Sequence, residues 1–567
     1  MYLKSGSTLF KADGSNDRNS VFHFMSAMRS CFGSRVSFTL LLGALWCSKS
    51  LAGSHVGDKS GRTYKPHILL VVMDDLGSND LGFHQSNIST PHCDSLLGMN
   101  GAIYLDNYYV LPSCSPTRSA LFSGRYPLHT GIHHWLPASS TAGLPLEDET
   151  IADMLHRANY TTHAIGKWHL GFSQWEQTPT FRGFDSFYGF YSGGEDYFSH
   201  VAASQGYDMR HDQHPRCGPE CTRIVNETGN YSTHVFTREA IRVIEEYSSS
   251  MTIENRQNRP LFLYLAFQAV HNPDQVPEHY KEQYSSSWPD NPRRQTYAGM
   301  LTAADEGIGN VAHALQTAGL WDDTLLIFTT DNGGPTATCA VQGSSNYPKR
   351  GGKCSVWEGG TRGDGFVSGL AVEKLGLNTD GGPRRLPNLF HVVDWLPTLA
   401  DIVNVVPAAN KPLDGKSQWL ALMDDKVSVR DEVFVGYTHN DETNEWYGPA
   451  LRYQNWKLVQ GSSGGPDQYD QHARGNPDDP QEGGIANTTY LLYDLETDRE
   501  ELQNLATLYP NVVEKLRQKL QEYQQTYTPP QPSSTVGCPS CPGPVKTFMG
   551  PTWMPWCKGS SQIVVYE

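Results

Sequence analysis

The sequence has no apolar run of membrane length. Its N-terminal apolar stretch, Val36-Ser-Phe-Thr-Leu-Leu-Leu-Gly-Ala-Leu-Trp46, is too short to span a bilayer and has the size of a signal-peptide core. Arg29 and Arg35 precede it, and Ser50-Leu51-Ala52 before Gly53 fits a signal-peptidase site. The polar stretch ahead of it is unusually long, and Met25 or Met28 would start a more ordinary signal peptide. Residues 1–52 therefore read as an N-terminal extension with a signal peptide. The rest reads as a protein of the secretory pathway, extracellular or lysosomal, with no membrane span. Positive charge is also in deficit: 44 Lys and Arg stand against 60 Asp and Glu, for a net charge of −16. Such a surface repels nucleic acid and other polyanions unless a local basic pocket receives them, so no nucleic-acid partner is expected. No internal repeat is visible, which argues against a solenoid.

What is present is ordinary for a globular protein, with 38% hydrophobic and 18% charged residues. At 567 residues the chain has room for a large domain and a smaller one. Four short, continuous apolar runs read as strands buried on both faces: His67–Met73, Tyr160–Ile165, Leu261–Phe267 and Thr324–Thr330. Each is followed by polar residues. Asp74-Asp75 follows the first, Lys167-Trp-His169 the second, His271 the third and Asp331-Asn332 the fourth. Amphipathic helices are expected over Leu146–Ala158, Phe236–Tyr247, Tyr297–Ala318, Asp394–Asn404 and Val512–Tyr527, and surface loops over residues 172–234.

From Val433 the apolar segments shorten and turn signals crowd together, which predicts a small antiparallel sheet from Val433–Tyr437, Ala450–Tyr453, Trp456–Gln460 and Tyr490–Asp494. The fold class is α/β: a large, mostly parallel mixed sheet flanked by helices, with a smaller C-terminal antiparallel-sheet domain. Boundaries are placed at residues 53–426 for the catalytic domain and 427–567 for the C-terminal subdomain with its Cys- and Pro-rich tail.

Asp74, Asp75, Asp331 and Asn332 are hard oxygen donors, suited to Ca²⁺ or Mg²⁺ and not to a soft metal. A single Asp-Gly or Asp-Asn is more often a turn, but two pairs each after a buried strand point to a cation site. Cys114-Ser-Pro-Thr-Arg118 combines a thiol with a helix start, since Ser115 can cap and Pro116 suits a first turn. Gly124 can end that helix. Cys114 is thus expected at a helix N-terminus, which favours an anion.

This stretch and its tail, Ser123-Gly-Arg-Tyr126 and Thr130-Gly131, resemble the signature of the sulfatase family. Gly166-Lys-Trp-His-Leu-Gly171, Val270-His-Asn-Pro-Asp-Gln-Val-Pro277, Thr330-Asp-Asn-Gly-Gly334, Trp357-Glu-Gly-Gly360 and Leu492-Tyr-Asp-Leu495 extend the likeness over about residues 65–510. It is nearest to animal arylsulfatases of the arylsulfatase B (N-acetylgalactosamine-4-sulfatase) type. The resemblance implies an alkaline-phosphatase-like fold and conversion of Cys114 to formylglycine by the formylglycine-generating enzyme. It implies one Ca²⁺ held by Asp74, Asp75, Asp331, Asn332 and residue 114. One hydroxyl of the hydrated aldehyde would attack sulfur, giving a covalent sulfated enzyme. Arg118 would hold the diol, Lys167 and Lys353 the sulfate oxygens. His271 would protonate the leaving oxygen, and His169 would take the proton that lets sulfate depart. The expected substrate is an aryl sulfate in vitro and a sulfated glycan in vivo. One departure touches specificity: Ile132–Thr150 has no cysteine where arylsulfatase B carries some.

Eleven cysteines fit this reading. Cys31 and Cys47 fall in the leader and Cys114 is modified, leaving Cys93, Cys217, Cys221, Cys339, Cys354, Cys538, Cys541 and Cys557 for up to four disulfides in an oxidising compartment. Cys217 with Cys221 and Cys339 with Cys354 are candidate local pairs. Cys538-Pro-Ser-Cys541 follows no strand, so a bridging role suits it better than a redox one. Asn87, Asn159, Asn226, Asn230 and Asn487 sit in glycosylation sequons. Two rivals stand beside the sulfatase reading: a phosphomonoesterase or phosphonate hydrolase on a related scaffold, and a matrix protein that binds sulfated polysaccharide with little turnover.

Overall fold

The computed structural model describes residues 64–557 apart from 204, 337–341, 379–380, 441–444, 464–489, 532–544 and 548. The signal segment, Cys339, Cys538, Cys541 and the Asn487 sequon lie outside the described residues. The strands in chain order are β1 (His67–Met73), β2 (Ile103–Tyr109), β3 (Thr161–Lys167), β4 (Ser186–Phe190), β5 (Val201–Ala202), β6 (Gly206–Tyr207), β7 (Arg210–Asp212), β8 (Thr222–Ile224), β9 (Leu261–Ala266), β10 (Thr324–Thr330), β11 (Gly365–Ser368) and β12 (Arg384–His391). All but β5 and β6 form one mixed sheet in the order β12-β2-β11-β10-β1-β9-β3-β4-β7-β8.

Its centre, β10-β1-β9-β3-β4, is parallel. Every residue of β1, β9 and β10 is buried, which is why each appears as an unbroken apolar run. Along β1, Ile68, Leu70 and Val72 join one core while Leu69, Val71 and Met73 join the other. This alternation follows from the pleat and requires helices on both faces. They are α1 (Cys114–Ser123), α2 (Ile151–Arg157) and α5 (Trp395–Ile402) on one face, with α3 (Ser232–Ser250) and α4 (Pro292–Thr317) on the other. In α3, Val235, Phe236, Ala240, Val243, Ile244 and Tyr247 recur at helical spacing to cover the sheet. A Val, Ile or Phe among them contributes about 1.5–3 kcal/mol when fully buried.

Several expectations are corrected. Leu146–Ala158 is helical only over Ile151–Arg157, because Thr150 starts it: Thr150 Oγ1 accepts from the Asp153 N–H at 2.9 Å and Asp153 Oδ2 accepts from the Thr150 N–H at 3.1 Å. The helix at Cys114 is capped in position by Ser113, not Ser115, and Ser115 Oγ instead accepts from the Leu136 N–H at 3.1 Å. Residues 172–234 are not only surface loops, since β4, β7 and β8 extend the main sheet there. The Cys217–Cys221 disulfide forms as expected, and Cys354 and Cys557 are also bridged. Cys93 does not pair: it is free and buried, and its N–H donates to Asp305 at 2.7 Å.

The second sheet matches expectation. β13 (Glu432–Asn440), β14 (Glu445–Tyr453), β15 (Trp456–Gln460) and β16 (Tyr490–Asp494) are antiparallel in that order, and α6 (Pro510–Gln525) buries Leu516 and Leu520. Beyond it, β17 (Val545–Thr547) and β18 (Gly550–Thr552) join β6 and β5 in a small third sheet. No helix among the described residues is long and apolar enough to cross a membrane.

Candidate active site

Register builds the site. β1 and β10 pair in parallel with Met73 opposite Thr330, so Asp74-Asp75 and Asp331-Asn332 leave the sheet side by side. On the other flank β9 pairs with β1, and the chain beyond it stays alongside: the Asp74 N–H donates to the Ala269 carbonyl at 3.0 Å and the Val270 N–H to the Asp74 carbonyl at 2.7 Å. That ladder delivers His271. β3 lies next to β9 and ends on Lys167, with His169 just beyond. Helix α1 then enters with Cys114 at its first turn and Arg118 one turn inside. All ten of its residues are buried, so it has no solvent face.

The side chains meet. Arg118 donates from Nε and Nη2 to Asp331 Oδ2 at 3.0 and 2.9 Å, and from Nη1 to the Lys167 carbonyl at 3.1 Å. Lys167 Nζ donates to Asp74 Oδ2. Lys353 Nζ sits 2.7 Å from Asp75 Oδ1. The Cys114 thiol faces Asp74 Oδ1 at 3.6 Å. His271 Nδ1 donates to the Asn272 carbonyl at 2.7 Å, which leaves Nε2 facing Asp75 Oδ2 at 3.8 Å. His169 Nε2 donates to the Leu136 carbonyl at 3.0 Å, and its Nδ1 is buried without a partner. The loop Ile132–Thr150 therefore does border the site. All ten residues singled out from the sequence lie in this one place.

Carboxylates crowd together in the site. Ligating atoms of Asp74, Asp75, Cys114 and Asp331 all lie within 4.8 Å of one another. Burial, and then the adjacent Asp74 carboxylate, push Asp331 well above the usual carboxylate range. Burial acts the same way on Asp74, but Lys167, His271 and Arg118 outweigh it and hold Asp74 far below that range. Burial pushes the Cys114 thiol up to about 12. Burial, then Lys353, press His271 down to about 4, and burial, then Lys167, press His169 well below its ordinary value. Asn332 Nδ2 donates to Asp75 Oδ1 at 2.7 Å, while its Oδ1 is buried without a partner. Three crowded carboxylates beside an orphaned amide oxygen fit a hard divalent cation. A buried thiol this hard to ionise is a poor nucleophile as it stands.

Some contributors were not anticipated. The Tyr264 hydroxyl accepts from Arg118 Nη1 at 3.2 Å, from within a strand that reads as pure core. Gly193 and Gly194 floor the two histidines: a Cβ on Gly193 would lie 2.6 Å from His169 Nε2, and one on Gly194 3.3 Å from His271 Cε1. The Gly-Gly pair after a strand was the available signal.

A family model described as Sulfatase matches residues 66–405. Arylsulfatase J of Mus musculus is 33% identical over 521 residues, covering 88% of this chain and 81% of its own length. Arylsulfatase A of Homo sapiens is 29% identical over 483 residues, covering 80% and 86%. Among solved structures, Ps i-CgsB in complex with k-i-k-neocarrahexaose aligns with a TM-score of 0.66 at 26% identity, over 82% of this chain and 94% of that one.

Proposed function

The chain belongs to the sulfatase family, and from that premise we propose that it is a Ca²⁺-dependent sulfatase whose nucleophile is a formylglycine made from Cys114. The observation that carries the proposal is the convergence of Cys114, Arg118, Lys167 and Lys353 with three buried carboxylates at adjacent strand ends. Asp74, Asp75, Asp331 and Asn332 would hold the cation with residue 114. A bound Ca²⁺ would supply a Lewis acid for a sulfate oxygen. The hydrated aldehyde would supply an oxygen nucleophile and, unlike serine, a second hydroxyl through which sulfate can be expelled.

The chain's own residues divide the remaining work. Arg118, clamped on Asp331, orients residue 114 and balances its charge. Lys167 and Lys353 receive sulfate oxygens. His271 has its Nδ1 proton fixed on a carbonyl, so Nε2 is the atom that faces the site, and it must first take up a second proton there, as imidazolium, before giving it to the leaving oxygen. His169 has the opposite arrangement: Nε2–H is fixed, and the unpartnered Nδ1 can take a proton from residue 114. The committed nitrogens fix which ring atom of each histidine can exchange a proton, Nε2 of His271 and Nδ1 of His169.

We extend the proposal to a sulfated glycan as natural substrate, with N-acetylgalactosamine-4-sulfate the first candidate. The relative solved with k-i-k-neocarrahexaose supports a saccharide. The signal-like segment and the disulfides support a secreted or lysosomal location, with 53–426 the catalytic domain and 427–567 the C-terminal subdomain. Turnover of nitrophenyl sulfate against nitrophenyl phosphate by the purified enzyme tests the class. Preference for phosphate favours the phosphatase rival, and tight polysaccharide binding without turnover favours the matrix-protein rival. Asp331→Ala removes a proposed ligand and Arg118's partner, so both turnover and Ca²⁺-dependent thermal stabilisation should fall. Wild-type values for both would remove the metal site from the proposal.

A further inference from the structure

Lys353 reaches the site from outside the main sheet. Its segment, Arg350 to Arg362, lies between β10 and β11 and has only one short helical turn, Glu358–Thr361, of its own. The same segment backs the metal-side turn. The Gly333 N–H donates to the Gly360 carbonyl at 3.0 Å, and a Cβ on Gly333 would stand 1.7 Å from the Gly359 carbonyl oxygen. The Lys353 N–H donates to the Gly334 carbonyl at 3.2 Å. Displacing this segment would move Lys353 and the Asn332-Gly333 turn together.

Backbone bonds from Cys354 to the Pro112 carbonyl and from Val356 to the Ser463 carbonyl hold it, and so does a buried charge cluster from the C-terminal sheet. Glu501, in the loop after β16, binds both ends of the segment. Its carbonyl accepts from Arg350 Nη1 at 2.9 Å, and its Oε2 accepts from the Glu358 N–H at 2.7 Å. Lys457 of β15 stands between the two carboxylates, 2.7 Å from Glu501 Oε1 and 3.0 Å from Glu358 Oε1. The side chains of Lys457, Glu358 and Glu501 are wholly buried. Tyr109 of β2 satisfies the other Glu358 oxygen at 2.7 Å.

Glu501 is delivered there at a cost. Its φ is +56°, left-handed for a residue with a side chain. The loop is braced to keep it so: the Leu502 and Gln503 N–H groups donate to the Asp498 carboxylate at 3.0 and 2.9 Å, and the Leu505 N–H to the Leu492 carbonyl at 2.8 Å. Burying two carboxylates beside Lys457, with Arg362 Nη1 3.7 Å from Glu358 Oε2, is expensive unless every atom is used. An apolar core already joins the two sheets here, with Val356 and Trp357 packed among Val435, Val459 and Leu491, so the charges are not needed for cohesion. The arrangement makes sense if the position of the segment matters more than its stability.

We propose that Glu501 is a positioning residue: by clasping Arg350 and Glu358 it sets where Lys353 and the Asn332-Gly333 turn stand, which makes the C-terminal sheet part of the catalytic apparatus. The inference builds on the sulfatase reading of the site. It is tested on the full chain with Glu501→Ala, Glu501→Gln and Glu501→Asp, by hydrogen exchange of residues 350–361 and by steady-state kinetics on nitrophenyl sulfate. Glu501→Ala removes the acceptor of the Glu358 N–H and the partner of Lys457 while keeping the backbone carbonyl that Arg350 uses, and it should speed exchange in that segment while leaving α4 unchanged. It should also raise KM, and the inhibition constant of inorganic sulfate, about tenfold or more, the usual scale for a lost charge-assisted hydrogen bond. Glutamine keeps an acceptor for the Glu358 N–H at the same reach, though its NH2 then faces Lys457, and should restore exchange and KM partly, and further than aspartate does. Aspartate keeps the charge but falls one methylene short, and should behave like alanine. Should Glu501→Ala fail to fold, the Gln and Asp variants give the same contrast. Unchanged exchange at 350–361, an equal rise in α4, or an aspartate variant better than glutamine would each overturn the clasp. A wild-type protein inert on every sulfate ester would instead sink the sulfatase reading, and the exchange comparison would still decide the clasp.

Discussion

Asp75 and His169 share an unusual backbone, with φ of +60° and +59°. Neither is glycine, and such geometry costs on the order of 1–3 kcal/mol per residue. Both lie just past buried strands, where the chain must turn a carboxylate or an imidazole back toward α1. The residue types and their places after strands were legible in the sequence. The strain, the orphaned Asn332 oxygen and the committed nitrogens of the two histidines were not, because they depend on which carbonyls come near. Residue 114 offers the most direct prediction at this scale. Peptide mass spectrometry on active enzyme should find formylglycine there, and only unmodified cysteine or a mixed disulfide would defeat it. Cys114→Ser should stall or nearly abolish turnover. His271 offers a graded one. A sugar alkoxide needs a proton to leave, whereas nitrophenolate hardly does. His271→Ala should cut kcat/KM on a sugar sulfate more deeply than on nitrophenyl sulfate, by roughly the 10²–10⁴-fold typical of acid–base catalysis. Equal losses on the two substrates would leave His271 as a charge on sulfate and nothing more.

Among elements, the strands that carry chemistry were the readable ones. β1, β9 and β10 are buried on both faces, so their apolar runs are unbroken. β11 is buried but only four residues long, whereas β2 and β12 escaped notice for another physical reason. β12 begins Arg384-Arg385 with exposed or half-exposed residues, and β2 carries Asp106 and Asn107, because the sheet is open to solvent at that edge. The small antiparallel sheet was legible from its short alternating segments. β1 itself starts on a titratable residue. His67 Nδ1 accepts from the Leu261 N–H of β9 at 3.0 Å, so it must be neutral there, and burial lowers its pKa from 6.5 to about 4. The unfolded chain therefore binds this proton more tightly than the native one. The stability His67 contributes is whole above about pH 6.5 and drains away as pH falls toward 4. His67→Gln removes the titration. Between pH 7 and pH 4.5 the melting temperature of wild type should drop further than that of the variant, by roughly 2 °C. Parallel curves would mean that His67 has the same pKa in the folded and unfolded chain.

On the scale of the whole molecule, the two sheets are not separate bodies. Tyr109, Val356, Trp357 and Leu389 share one core with Val433, Val435, Ala450, Val459, Leu491 and Tyr493. The change in pattern after residue 426 was visible in the sequence, but that shared core was not, since it joins segments far apart in the chain. The tail was read only as a Pro-rich stretch pinned by cysteines. It in fact returns across the molecule to the first domain. The Trp553 N–H donates to the Tyr207 carbonyl at 2.9 Å, and the Trp556 N–H donates to the Ser173 carbonyl at 2.9 Å. Phe172 packs edge-on against both indoles at 6.1 and 5.4 Å, and Arg210 Nη2 donates to the Trp553 carbonyl at 2.6 Å. Phe172 lies three residues past His169, so the tail braces the chain that leaves the active site. Trp553 is 1% exposed, and replacing a buried Trp by Ala typically costs about 3–5 kcal/mol. Trp553→Ala should therefore lower the melting temperature by several degrees, and Trp553→Phe, which keeps the ring but loses the bond from Nε1 to the Ala202 carbonyl at 3.2 Å, by less. If the tail were an appendage, both variants would melt with wild type and deleting residues 545–567 would be silent. If it is structural, the deletion should be at least as damaging as Trp553→Ala, because it removes both indoles and the strand pairing of β18 with β6 together.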